Sequence, residues 1–127
     1  MRRTHETQAE SFLPLTSVVF EILVTLARGD HHGYSILAEV RERTGELVRA
    51  GSLYRAIGRL LEDGLVDELD ERPDPEIDDE RRRYYRLTEF GRRVAGAEAA
   101  RLETQVRHAR AAKLLVKRRR ITSPRLG

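Results

Sequence analysis

Apolar residues recur at helical spacing in four stretches of the chain and alternate in two short ones. Val19, Ile22, Leu23, Leu26 and Ala27 predict a first helix over about Ser17 to Arg28. Thr16 is its expected N-cap, Leu15 and Phe20 stand at hydrophobic-staple positions, and Gly29 is the stop. Asp30 to Tyr34 reads as a turn into a second helix, whose Ile36, Leu37 and Val40 face inward before Gly45. After a short link at Leu47 to Ala50, Ser52 is the expected cap of a third helix that buries Leu53, Ile57, Leu60 and Leu61 and closes at Gly64.

Leu65 to Leu69 and Arg82 to Leu87 are β-prone, and Leu65/Leu69 with Tyr85/Leu87 can line one face of an antiparallel ribbon. Thr88 then caps a long final helix expected to reach Lys117 or beyond. Its narrow apolar side, Ala95, Ala99, Leu102, Val106, Ala109 and Val116, finds nothing left in the chain to bury it fully. A partner copy is the simplest cover, so these residues are the expected dimerisation seam. The predicted fold is mainly α with a small β-hairpin, a winged helix-turn-helix followed by a long C-terminal dimerisation helix. The expected organisation is a flexible arm at 1–11, a winged helix-turn-helix domain at 12–88, the dimerisation helix at 89–120 and a tail at 121–127.

Charge sharpens this picture. Glu62 to Glu80 holds eleven acidic residues and one basic, leaving 23 basic against ten acidic side chains elsewhere. Of the 24 basic residues 22 are arginine, whose planar fork suits phosphate oxygens and guanine edges. A GC-rich genome would give the same enrichment, so position has to decide. The third helix leaves Tyr54, Arg55, Gly58, Arg59 and Glu62 opposite its buried stripe, with Arg55 and Arg59 one turn apart.

With no cysteine, disulfides, thiolate metal sites and thiol nucleophiles are excluded. His31 and His32 adjoin at a turn without metal-ligand spacing, and no phosphate-cradling glycine loop is present. No catalytic role, metal or cofactor is therefore expected. The lack of a membrane-length apolar run or a secretory h-region makes a cytoplasmic protein the expectation.

His32-Gly33-Tyr34, Gly51-Ser52-Leu53-Tyr54, Leu61-Glu62-Asp63-Gly64-Leu65-Val66 and Asp78 through Thr88 resemble, in order and spacing, the motifs of the PadR family of transcriptional regulators. The resemblance spans about Leu15 to Arg93. It implies a DNA-binding winged helix, a homodimer, and a repressor that a small-molecule effector usually relieves. Arg49-Ala50-Gly51-Ser52 departs from the Gly-Pro-Gly-Thr of many members, and Ser17 stands where proline is common. The C-terminal part matches no motif closely, so effector-binding residues do not carry over.

On that frame Ser52, Tyr54, Arg55 and Arg59 would enter the major groove, Arg55 first among them as a base reader. The alternative is a solvated face pairing with Glu62. Tyr34 and Tyr54 would give hydroxyls to phosphates or else pack at the core edge. Arg81, Arg82 and Arg83, with Tyr84 on the exposed ribbon, would approach the DNA, or the arginines would neutralise Asp78, Asp79 and Glu80. A winged helix module for protein or RNA binding, without operator specificity, is the rival reading.

Overall fold

The computed structural model of the 127-residue chain describes residues 8–45, 47–69 and 83–115. Helix α1 spans Ser17–Ala27, and the Thr16 hydroxyl accepts the Val19 N–H at 3.2 Å. Its inner side buries Ile22, Leu23 and Leu26 together with Thr25, a polar residue satisfied on both counts: its hydroxyl donates to the Glu21 carbonyl and accepts from Arg43. Gln8–Glu10 are helical and Ala9 is buried, so the end of the expected loose arm packs on the core.

The two histidines form β1, His31–His32, a strand too short to leave an alternating pattern in sequence. Helix α2, Gly33–Thr44, starts from it, and the left-handed Gly45 (φ 71°) ends that helix as expected. Arg43 on α2 ties it to α1, donating to the Glu21 carboxylate at 2.8 Å, the Glu21 carbonyl at 2.9 Å and the Thr25 hydroxyl at 2.7 Å.

Helix α3 covers Ala50–Glu62 and opens three residues earlier than the Ser52 cap predicts. Arg49 holds the cap position without a side-chain hydrogen bond. The link before it is pinned, because Val48 is buried and its carbonyl accepts Arg41 Nε at 2.9 Å. The helix therefore starts directly after the anchor, and Ser52 sits inside its first turn.

Strands β2, Val66–Glu68, and β3, Tyr84–Leu87, pair antiparallel, and β3 also pairs with β1, giving the sheet order β1-β3-β2. The register opposes Val66 to Leu87 and Glu68 to Tyr85. Directly opposed residues share a face, so the inner face of β2 is Val66/Glu68 and not Leu65/Leu69. Leu65 is nevertheless buried, in the turn before the strand, where its N–H donates to the Leu60 carbonyl. Tyr85 faces the core, as its alternation requires.

Helix α4 spans Glu89–Ala111. Thr88 joins it to the wing three ways: its hydroxyl accepts the Gly91 N–H and donates to the Gly64 carbonyl, and its own N–H donates to the Leu65 carbonyl. The helix stops short of the expected Lys117, with Lys113 at φ 65°, while Val116 and the basic tail lie outside the described residues. The result is a winged helix-turn-helix, α1–α2–α3 with a small antiparallel sheet, followed by a long C-terminal helix.

Candidate nucleic-acid interface

The α3 surface follows from its period. Leu53, Ile57 and Leu60 are 5 % exposed or less, which fixes the helix against the core and turns Ser52, Arg55, Arg59 and Glu62 to solvent. The expected alternative, arginines paired with Glu62, is not what forms: among the described residues neither Arg55 nor Arg59 has an ion-pair partner. Arg55 makes one long contact, Nη2 to the Ser52 hydroxyl at 3.4 Å. Two guanidinium groups one turn apart thus keep their donors available for base edges or phosphates.

Tyr54 is placed differently. It is half-buried against the core cluster with its hydroxyl enclosed, which fits the core-edge reading and not a phosphate contact. Tyr34 is 58 % exposed at the start of α2, its ring stacked near that of His32 at 6.4 Å. Tyr84 is half-buried, edge-on to the same His32 ring at 5.5 Å, so it belongs to a small aromatic cluster and not to a free ribbon. Arg83 is also half-buried, with Nε 3.7 Å from the Glu68 carboxylate, and its carbonyl accepts the Gly33 N–H. Arg81 and Arg82 lie outside the described residues, as do Asp78, Asp79 and Glu80.

His32 stands in the His32-Gly33-Tyr34 motif without an assigned role, and the structure gives it one. Its Nδ1 accepts the Ser35 N–H at 3.1 Å as the N-cap of α2, and its ring lies between Tyr34 and Tyr84. One imidazole therefore positions the helix start, an exposed tyrosine and the wing strand together. Histidine is not among the usual capping types, so capping preference gave no signal. Arg49, exposed at the α3 start, is a further basic group on this side.

On α4, Ala95 packs against the chain's own core, which removes it from the expected seam. Ala99 and Val106 are exposed, Leu102 and Ala109 half-buried, and Phe20 of α1 joins Ala99, Leu102 and Val106 around a groove of about 580 Å³. Glu98, on the same helix, is buried. Arg101 grips it bidentately at 2.7 and 2.8 Å and holds its carboxyl below the usual carboxylate range, against the opposing effect of burial. The Leu15 N–H adds to the lowering.

This is the architecture of a winged helix-turn-helix transcription regulator, with an exposed basic face on the second helix of the pair whose arginines have no ion-pair partner among the described residues. The model of the PadR-like family of transcriptional regulators matches residues 22–97, and the chain belongs to that family. A PadR family transcription regulator from Clostridium difficile superposes with a TM-score of 0.64 at 24 % identity, covering 76 % of this chain and 97 % of that one. A transcriptional regulator from Clostridium thermocellum gives 0.60 at 26 % identity, covering 79 % and 90 %. An uncharacterised 37.1 kDa protein in transposon TN4556 of Streptomyces fradiae is 38 % identical over 78 residues, 61 % of this chain but only 21 % of that protein. No helix among the described residues is long and apolar enough to cross a membrane.

Proposed function

We propose that the chain is a cytoplasmic, sequence-specific repressor that binds duplex DNA as a homodimer on a pseudo-palindromic operator, and that a small molecule relieves the repression. The observation that carries this reading is the pair of outward arginines, without an ion-pair partner among the described residues, on a helix locked by a buried apolar stripe. In a helix-turn-helix that helix enters the major groove, and arginine can bond two guanine acceptors at once. Arg55 and Arg59 are assigned to bases. Ser52, Arg49 and the exposed Tyr34 are assigned to the backbone, along with Arg81 and Arg82 from outside the described residues, while Arg83 and Tyr84 brace the wing against α2.

Dimerisation is assigned to the side of α4 that is exposed among the described residues. Ala99, Leu102, Val106 and Ala109 would pair with the same residues of a second copy around the Phe20 groove. Two recognition helices would then meet half-sites about one helical turn, or a multiple of it, apart. Selection of bound fragments from the source genome tests the whole reading. The expected result is enrichment of an inverted repeat; no enrichment of any duplex sequence, or preference for RNA, would overturn it.

A further inference from the structure

A cleft of about 680 Å³ lies between α3 and the stretch leading into α1, and it shares no lining residue with the α1–α4 groove. Its apolar floor is Phe12, Leu15, Val19, Leu60 and Leu65. Along one edge stand Arg55 and Arg59, neither with an ion-pair partner among the described residues. Glu62 and Asp63 line it toward the end of α3. Gly58 also lines the cleft, and a Cβ built on it meets nothing within 4 Å, so a larger side chain there has room to enter.

The geometry points to this cleft as a binding site for an amphiphilic organic anion, its apolar body on the floor and one carboxylate or sulfonate held by Arg55 and Arg59. Its volume lies in the range of small-molecule sites, and a guanidinium fork grips a carboxylate with two parallel hydrogen bonds. A single charge is specified, since Glu62 and Asp63 repel a second one at the far end. The wall facing α3 is tied to α4, through the Phe12–Phe90 edge contact at 5.7 Å and the Leu15 N–H directed at Glu98. An occupant therefore bridges the recognition helix and the elements anchored to α4. The inference rests on the DNA reading in one respect: the same two arginines are assigned to bases, so anion and operator exclude each other.

Octanoate and 1-octanol, titrated calorimetrically into the full chain without DNA, test the site. Octanoate should bind at least tenfold more tightly than 1-octanol. Gly58→Leu, which fills the cleft, and Arg59→Leu, which removes an anion partner, should each weaken it at least tenfold. Val19→Phe fills the same space from α1 and guards against misfolding of the first variant, with circular dichroism reporting helix content. On wild-type protein, saturating octanoate should raise the operator Kd at least tenfold, and Val19→Phe should bind operator with no response to octanoate.

Equal binding of octanoate and 1-octanol, equal displacement by inorganic phosphate, or undiminished binding in folded cleft-filled variants would overturn the assignment. Operator-specific binding without octanoate binding refutes the cleft alone. Octanoate binding that the filled variants lose, in a protein with no operator preference, supports the cleft and refutes the DNA reading.

Discussion

Gly91, in the first turn of α4, is where the wing and the final helix come closest, and replacing it with alanine should be severely destabilising. A Cβ there would stand well inside van der Waals contact with the Leu65 carbonyl oxygen, 2.8 Å from Leu87 Cδ1 and 3.0 Å from the Leu65 carbonyl carbon. The main obstacle is backbone and cannot rotate away. That carbonyl also accepts the Thr88 N–H at 3.0 Å, so relieving the clash by moving it breaks a bond at the α4 junction.

Overpacking of this kind costs about 1–3 kcal/mol or somewhat more, and the lost hydrogen bond adds about 1 kcal/mol. Alanine's better helix propensity returns about 0.5–1 kcal/mol. The net expectation is about 1–3.5 kcal/mol of destabilisation. Urea unfolding at fixed protein concentration reads this as a midpoint lowered by about 1–2 M, given a denaturant slope of about 1–3 kcal/mol per M. Gly58→Ala is the matched control, because its Cβ enters open space and only the propensity gain remains, about 0.5–1 kcal/mol of added stability. Equal midpoints for Gly91→Ala and wild type would refute the close-approach argument.

Val106→Glu should shift the proposed dimer to monomer in sedimentation, since Val106 is 42 % exposed on α4 and like charges would face across the proposed seam; an unchanged dimer would place the interface elsewhere. Arg43→Ala should destabilise by about 2 kcal/mol in the same urea assay, because the buried Thr25 hydroxyl and the Glu21 carbonyl lose their shared donor. Glu98 is held below its ordinary range in the folded chain, so its contribution is present above the unfolded carboxyl value and fades as pH falls through the folded one. Glu98→Gln should therefore lower stability at neutral pH and flatten the acid limb of the stability profile, whereas a parallel displacement at all pH values would contradict the ionised-pair assignment.

How legible these features were depended on whether they repeat along the chain. The stripes of α1, α2 and α3 are periodic, and Leu53, Ile57 and Leu60 are buried where their spacing puts them. The same spacing leaves Arg55 and Arg59 outside, so the exposed arginine face of α3 is legible directly. Tertiary pinning left no such trace. The α3 start was misplaced because a distant arginine anchors Val48, and the β2 face because a buried leucine precedes the strand. His31–His32 pairs with β3 across some fifty residues of chain, a relation no local pattern encodes. Glu98 has no place in the apolar stripe of α4, yet it is buried, and Arg101 and Leu15 make that burial tolerable.

The central claim is that Arg55 reads a base. Its most direct measurement is the affinity of Arg55→Ala, against wild type, for the selected operator and for random duplex of equal length at one salt concentration. The expected result is a loss on the operator of about 5- to 150-fold, corresponding to about 1–3 kcal/mol for a bidentate contact, with a much smaller change on random DNA. Equal losses on the two duplexes would move Arg55 to the phosphates and contradict the claim.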